Sequence, residues 1–413
     1  MRFLSKTTII YRRIRSTSDR FSVYRMPQRP SSDPRTSHRD LFAHLKDQQS
    51  AMQSMLRRIV EHESPSDDKP SCDAMAEMLA QDFGAIGGRT KLHRDKITGN
   101  HLQVDFGGPR GAKPVLIVGH YDTVYPLGTL KQMPYRESKG RISGPGVLDM
   151  KGGIVQIHGA IAALQTQGGL PRPVTIILVS DEETGSESSR SITEKLAKQS
   201  AAAFVCEPAA GTDGALKTAR KGVGDYLLRI TGVASHSGLD FEKGQSAVLE
   251  LARQIEKIAG FTDLKRGTTV NPGVIRGGTR SNVIAASAEA EIDVRVSTKR
   301  DVERVSKLFA RLKPINRRCS LALSGGVNRP PMERTPGTAA LFAQAQLIAA
   351  ELSFSLAERM VGGGSDGNFT GAIVPTLDGL GAVGDGAHAV HEYIFATEMP
   401  KRAALLAGLI RAL

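Results

Sequence analysis

Short, continuous apolar runs recur along this chain, and each is followed at once by polar residues, most of them acidic. Four such runs lie at residues 114–118, 174–179, 203–206 and 373–377. Short runs of this kind, rich in Val and Ile, are typical of strands that are buried on both faces. Stretches with helical character lie between them, at 152–167 and 187–199. We therefore predict an α/β fold in which a mostly parallel sheet lies between layers of helices.

A different order of predicted elements occupies residues 214–326. In chain order they are a strand at 223–233, a helix at 246–258, strands at 268–275 and 286–296, a helix at 301–312 and a short strand at 320–323. This βαββαβ order is that of the split ferredoxin-like unit. Because strands followed by carboxylates resume after residue 328, we predict that the unit is inserted into the α/β domain.

The predicted organisation has four segments. They are a basic extension at 1–40, the first part of the α/β domain at 41–213, the inserted α+β domain at 214–326, and the second part of the α/β domain at 327–413.

Positive charge is concentrated at the start of the chain. The net charge is +13, and residues 1–40 contribute +7 of it through ten Lys and Arg against three Asp and Glu. The remaining +6 is a modest excess for a large surface, so we expect no nucleic-acid partner. We expect the extension to be disordered. Two alternatives stay open, a mitochondrial transit peptide or a true start at Met26.

Composition excludes several other classes. No run approaches eighteen apolar residues and no secretory h-region is present, so we expect a cytoplasmic protein without a membrane partner. Three cysteines are too few for a disulfide framework or a cysteine-ligated zinc site.

Histidine and carboxylate side chains punctuate the α/β part. The candidate metal ligands are His120, Asp122, Asp149, Glu183, Glu207 and His388. In open α/β sheets, ligands bind beyond the carboxyl ends of the strands. Residues i and i+2 of an extended segment point the same way, so His120 and Asp122 can address one centre. Two histidines and several carboxylates without a thiolate suit Zn²⁺ or a similar divalent ion.

Two pairs of nearby residues, Glu182 with Glu183 and His388 with His391, each contain a candidate ligand and a competitor. Adjacent side chains in extended backbone diverge, so Glu182 and Glu183 cannot easily bind the same metal ion. One can be a ligand while the other is the general base for an attacking water. The alternative is that both glutamates only stabilise a helix N-terminus.

His391 competes with His388 as the candidate ligand, and the glycines of GDGAH favour His388 at the turn.

Seven segments in order resemble the motif series of metallopeptidase family twenty. They are GHYDTVYPLGTL, GPGVLDMKGG, SDEETGS, EP, ASHSG, GGGSDGN and GDGAH. The family includes glutamate carboxypeptidases, acetylornithine deacetylase, succinyl-diaminopimelate desuccinylase and aminoacylases. The resemblance covers about residues 45–413, and it is greatest to the glutamate carboxypeptidase branch.

The resemblance implies a hydrolase that cleaves an amide bond next to a C-terminal amino acid in a small peptide or N-acyl amino acid. The alternative is an N-acyl-amino-acid deacylase of the acetylornithine deacetylase or desuccinylase type. A non-catalytic binding protein with this fold would lack a ligand or the base, and none is missing.

The resemblance also implies a pair of Zn²⁺ ions in each subunit, for which Co²⁺ or Mn²⁺ could substitute. Asp149 would bridge the two ions, and a cis Asp149–Met150 peptide is implied. The remaining roles are His120 and Glu207 on one ion, Glu183 and His388 on the other, Glu182 as the general base, and Asp122 as the residue that orients His120.

The inserted domain is implied to be a lid that forms a homodimer through residues 214–326. Its His236 would hydrogen-bond the developing oxyanion in the partner subunit. Asn282 and Arg295 would reach the substrate carboxylate or the oxyanion. We also expect a backbone cradle near the substrate carboxylate at Gly363 and Gly364.

Overall fold

The computed structural model describes residues 37–413. None of the helices in this part of the chain has both the length and the apolar character to cross a bilayer. The helices, in chain order, are α1 (His38–Asp47), α2 (Gln49–Glu61), α3 (Lys69–Ala85), α4 (Gly152–Thr166), α5 (Arg190–Gln199), α6 (Ala247–Ala259), α7 (Lys299–Ala310), α8 (Pro336–Glu351), α9 (Gly367–Gly371) and α10 (Glu398–Ala412).

The strands within residues 37–413 are distributed over four sheets. They are β1 (Arg89–His93), β2 (His101–Phe106), β3 (Val115–His120), β4 (Arg136–Ser138), β5 (Arg141–Ser143), β6 (Val174–Val179), β7 (Ala202–Val205), β8 (Leu216–Arg220), β9 (Gly222–Thr231), β10 (Thr269–Gly277), β11 (Ser287–Val296), β12 (Ser320–Arg329), β13 (Glu358–Val361), β14 (Thr376–Leu377), β15 (Gly384–Asp385) and β16 (Tyr393–Phe395).

The main sheet has the order β1-β2-β6-β3-β7-β14. Strands β6, β3, β7 and β14 run parallel, whereas β1 and β2 form an antiparallel edge. Every residue of β3 and β6 is buried, as their continuous apolar sequences predict. The parallel strands therefore end together, and the polar residues that follow them meet at one edge of the sheet.

Helices cover both faces of this sheet. The larger core lies on one face and is built largely from α1 to α4, α8 and α10. Helix α4 is buried along almost its whole length, and α10 packs directly on it. A smaller core on the other face joins α5 to apolar residues of β3, β6 and β7. The predicted α/β fold is confirmed.

The inserted segment forms an antiparallel sheet of order β10-β11-β9-β12. Its elements follow the predicted βαββαβ order, β9-α6-β10-β11-α7-β12, so the α+β unit is also confirmed. Alternate residues of β9 and β11 are buried in its core, which includes residues of α6 and α7. The opposite residues of these strands are more accessible to solvent.

Two ends of this unit differ from the prediction. Residues 216–220 form β8, which pairs with β13 and not with the four-stranded sheet. The last strand, predicted to end at 323, continues to Arg329. Gly325 and Gly326 suggest a turn in the sequence, but Gly325 adopts φ +91° within the strand, where a Cβ would meet the Asp225 carbonyl oxygen. The four-stranded sheet thus spans 222–329, and the division into domains at 214 and 326 stays a prediction.

The predicted basic extension lies largely outside the described residues. Its last residues, 38–40, form the first turn of α1, for which Ser37 is the N-cap. The Ser37 side chain accepts from the Asp40 N–H, and the Asp40 side chain accepts from the Ser37 N–H. This capping box explains why the helix begins before position 41, where the pattern of apolar residues begins.

Candidate metal centre

His120 is the last residue of β3, and its side chain is only 1% exposed. Its Nε2 lies 3.1 Å from Asp149 Oδ1 and 3.3 Å from Glu207 Oε1. Its Nδ1 lies 3.1 Å from the backbone oxygen of Asp122 and 3.4 Å from Asp122 Oδ1. Burial alone would lower the pKa of His120, but hydrogen bonds with Asp122, Asp149 and Glu207 raise it well above its ordinary value. The arrangement brings together a histidine, two carboxylates and a carboxylate that orients the ring.

Asp149 lies in the irregular turn at 147–151, where its own backbone is not helical. The Asp149–Met150 peptide is cis, which confirms that expectation. The two Asp149 oxygens face different histidines, Oδ1 towards His120 at 3.1 Å and Oδ2 towards His388 Nε2 at 3.5 Å. Asp149 is therefore placed to be shared between two groups of ligands.

The second group consists of Asp149, Glu183 and His388. Glu183 Oε1 lies 3.2 Å from His388 Nε2. His388 is half exposed and has φ +62°, an uncommon backbone conformation in which histidine is over-represented. Hydrogen bonds with Asp149 and Glu183 raise the pKa of His388 to about 10. In the described part of the chain, neither candidate metal group includes the competing His391.

The residues of both groups fit a pair of divalent cations. In each group the ligand atoms all lie within 4.8 Å of one another. Glu183 Oε1 is buried, and the structure places His388 Nε2 3.2 Å from it. Carboxylates packed this closely repel one another unless a cation lies among them. The ligand atoms belong to imidazole and carboxylate groups, which suit Zn²⁺ and similar divalent ions but not the softer metals that prefer thiolate ligands.

Glu182 lies outside both groups, although it adjoins Glu183 in the chain. Its Oε1 is 3.1 Å from Arg329 Nη2, and its backbone oxygen accepts from the same nitrogen at 3.0 Å. Burial raises the pKa of Glu182 well above its ordinary value, while the charge of Arg329 opposes this shift. The adjacent glutamates thus diverge as predicted, but the predicted extended backbone is wrong, because Glu182–Thr184 form a 3-10 turn.

Asp122 is fully buried behind His120. Its Oδ2 accepts from Ser66 Oγ at 2.8 Å and from the Glu183 N–H at 3.2 Å. One carboxylate therefore contacts a residue from each of the two groups, His120 through its ring and Glu183 through its backbone.

The lid residues singled out in the sequence lie in the inserted unit. Nδ1 of His236 accepts from the N–H groups of Gly238 and Leu239, both at 3.1 Å. The ring proton therefore belongs on Nε2, which makes this exposed histidine a donor. Arg295 is held by Asp293 two residues before it in β11, through contacts of 2.7–3.0 Å, and Asn282 is exposed. Neither Arg295 nor Asn282 has a described hydrogen bond to a residue of the two candidate metal groups.

Gly363 and Gly364 follow β13 in an accessible turn. Both carbonyl oxygens accept from Arg220 Nη1 at 3.1 Å. The C=O and N–H of a trans peptide point in opposite directions. The N–H of Gly364 therefore points away from Arg220.

Several residues at the centre carry no sequence motif. Arg329 contacts Glu182, and Arg220 contacts Glu207. Glu392 is fully buried and accepts from the backbone N–H groups of Gly146, Leu148 and Asp149 at 2.7–2.9 Å. Burial raises the pKa of Glu392 to about 7. Glu392 follows His388 by four positions, and that proximity is the one signal in the sequence that could have suggested it.

Comparison with known proteins agrees with this geometry. The model of peptidase family M20/M25/M40 matches residues 116–412, more than half of the chain. Carboxypeptidase G2 from Pseudomonas sp. (strain RS-16) is 28% identical over 379 residues, which cover 90% of this chain and 91% of that enzyme. Acetylornithine deacetylase from Myxococcus xanthus is 29% identical over 227 residues, which cover 52% of this chain and 58% of that enzyme.

A solved structure shows the same fold. The crystal structure of the aminopeptidase PepT from Bacillus cereus superimposes with a TM-score of 0.74 at 21% identity. The superposition covers 88% of this chain and 98% of that one.

Proposed function

The chain belongs to peptidase family M20/M25/M40 and is a hydrolytic enzyme, and we propose that it cleaves an amide bond next to a C-terminal amino acid. The proposed substrates are small peptides or N-acyl amino acids, with C-terminal glutamate preferred. Carboxypeptidase G2, which aligns over nine-tenths of both chains, supports this choice over a deacylase.

One observation carries the proposal. Two groups of ligands share Asp149, and a carboxylate that belongs to neither, Glu182, lies beside them. We assign one cation to His120, Asp149 and Glu207, and the other to Asp149, Glu183 and His388, with zinc as the proposed metal. Two cations held in this way would polarise a carbonyl group and lower the pKa of water.

The protein's own groups supply the proton transfers. Glu182 accepts a proton from the attacking water and donates it to the leaving nitrogen as the amide bond breaks. Arg329 fixes its position from one side, through the carboxylate and the backbone oxygen together. Asp122 holds the His120 ring so that Nε2 faces Asp149 and Glu207.

We propose that His236 donates its Nε2 proton to the oxyanion in the site of a second subunit. The tautomer supports this role, since two backbone donors already occupy Nδ1. A homodimer through the inserted unit is supported by the edge strand β10, which exposes Val274 and Ile275, and by α6, which exposes Val248 and Leu249. Apolar side chains at a sheet edge and on an adjoining helix favour pairing with a second copy.

The proposed substrate contacts include the backbone near Gly363 and Gly364, where the Gly364 N–H is turned away from Arg220 and can meet a carboxylate. Arg295 and Asn282 are proposed to reach the same substrate from the lid. For Arg295 this requires the guanidinium to leave Asp293 or to be shared with it.

A panel of substrates tests the proposal. The protein is stripped with a chelator, reloaded with Zn²⁺ and assayed with acyl-glutamates, folyl-glutamate, other N-acyl amino acids and acetylornithine. We expect turnover to require metal and to be fastest with C-terminal glutamate. Hydrolysis of acetylornithine without hydrolysis of acyl-glutamates would instead establish the deacylase activity, which the similarity to acetylornithine deacetylase makes the second candidate.

A further inference from the structure

Arg220 ends strand β8, and its side chain is only 3% exposed. A guanidinium has five N–H donors, and here five acceptor contacts surround it. They are Asp378 Oδ2 at 2.7 Å, Asp378 Oδ1 at 2.8 Å, the oxygens of Gly363 and Gly364 at 3.1 Å each, and Glu207 Oε2 at 3.4 Å. We propose that Arg220 is a positioning residue that fixes the Glu207 carboxylate and the Gly363–Gly364 turn relative to each other.

The arginine is itself held rigidly. Asp378 is fully buried and accepts hydrogen bonds from the guanidinium through both of its carboxylate oxygens. Its Oδ2 also accepts a hydrogen bond from Ser365 Oγ at 2.6 Å. The backbone of Arg220 is paired in both directions with Met332, at 2.9 and 3.1 Å. A paired, planar guanidinium fixed at both ends loses little further freedom when it orients a third group.

This geometry determines which oxygen of Glu207 reaches the centre. Oε2 faces Arg220, whereas Oε1 lies 3.3 Å from His120 Nε2. Without Arg220, rotation of the carboxylate would be limited only by its other neighbours. Partners of this kind, which touch a ligand but not the metal, typically alter metal affinity by about 10–100-fold.

The same guanidinium holds the turn that we propose to meet the substrate. Its Nη1 draws in the two glycine carbonyl oxygens, while Nη2 contacts Glu207. One side chain therefore sets the spacing between the ligand of one cation and the backbone beside the substrate. This inference rests on the proposed function, because it takes Glu207 as a ligand and the turn as a substrate contact.

The test is Arg220→Lys, which keeps the positive charge and removes the planar fork. Zn²⁺ is titrated into the stripped protein against a chelator of known affinity. We expect the Zn²⁺-binding step that Glu207→Gln weakens most to be weakened by about 10–100-fold in Arg220→Lys. KM for an acyl-glutamate should also rise when Zn²⁺ is saturating. Arg334→Lys is the matched control, because Arg334 grips Glu358 with the same fork at 2.7 and 2.8 Å on the exposed surface.

A double-mutant cycle separates positioning from general loss of structure. If Arg220 acts through Glu207, then adding Arg220→Lys to Glu207→Gln should change Zn²⁺ affinity by less than about twofold. Fully additive effects, or an Arg220→Lys protein with unchanged Zn²⁺ affinity, would overturn the inference. A wild-type chain that binds no Zn²⁺ would overturn the proposed function instead.

A milder variant covers the case in which Arg220→Lys does not fold. Ser365→Ala removes one hydrogen bond from Asp378 and leaves Arg220 in place. It should weaken the same binding step in the same direction by a smaller factor. A folded Ser365→Ala protein with wild-type Zn²⁺ affinity and KM would count against Arg220 as the positioning residue.

Discussion

Replacing Glu182 and Glu183 one at a time by glutamine should separate catalysis from metal binding. The two residues are adjacent, yet Glu183 Oε1 faces His388 while Glu182 Oε1 faces Arg329. Glutamine preserves the shape of each side chain and removes its charge. Any difference between the two variants therefore reports what each carboxylate contacts.

The expected magnitudes follow from these contacts. Glu182→Gln should retain both cations and lose about 10²–10⁴-fold in kcat, the usual contribution of a positioned base. At about 1.4 kcal/mol per factor of ten, this is about 3–5 kcal/mol of activation free energy. Glu183→Gln leaves the second group with one carboxylate and one histidine, so metal content should fall from two ions towards one per chain.

The assay combines elemental analysis of the dialysed proteins with steady-state hydrolysis of an acyl-glutamate. Glu187→Gln is the matched control, because Glu187 is an exposed acid in the same segment. It should match the wild-type chain in metal content and turnover. If Glu182→Gln loses metal while Glu183→Gln keeps two ions, the roles of the pair are reversed.

Two further predictions concern histidines outside the two candidate metal groups. His236→Ala should keep its metal and lose about 10²–10³-fold in turnover. Mixing it with inactive Glu182→Ala under conditions of subunit exchange should restore activity. A mixture that exchanges subunits and stays inactive would refute action of His236 across a dimer. Burial lowers the pKa of His101, so this side chain stays neutral in the folded protein at pH values where it is protonated in the unfolded chain, below about pH 6.5. The free energy of unfolding therefore decreases as the pH falls. The free energy of unfolding of the metal-free proteins is measured in urea at pH 5, 6 and 7 and plotted against pH. For His101→Gln the slope of this plot should be shallower than for the wild-type chain by up to about 1.4 kcal/mol per pH unit. Equal slopes for the two proteins would contradict a lowered pKa of His101.

The sequence predicts which candidate ligands lie together, because each of them can be recognised from its own short segment. His120 and Glu207 follow or lie near the ends of apolar runs, and parallel strands bring such residues to one edge of the sheet. The inserted unit is also readable, since its helices and strands have clear periods. Strand β12 is the exception. The predicted strand ends at 323, whereas the strand continues to Arg329, so the sequence does not place Arg329 near the centre.

The supporting groups could not be predicted in the same way. Arg220 meets Asp378, and Arg329 meets Asp366 and Glu182, across separations in the chain that no local pattern encodes. Lysine and arginine at a strand end are usually exposed, so burial and pairing decide their role. Both properties depend on how distant segments pack.

The charges around the centre show why these arginines do not replace metal ions. The buried and partly buried groups include six carboxylates and two guanidiniums, namely Asp149, Glu182, Glu183, Glu207, Asp366 and Asp378 with Arg220 and Arg329. These groups carry more negative than positive charge, and the fully buried Asp122 beside His120 adds to the excess. Each arginine is already matched by an aspartate that is not a proposed ligand, Asp378 or Asp366. The arginines therefore orient Glu207 and Glu182 without neutralising the ligands, and the mutual repulsion of those ligands remains to be offset by bound metal.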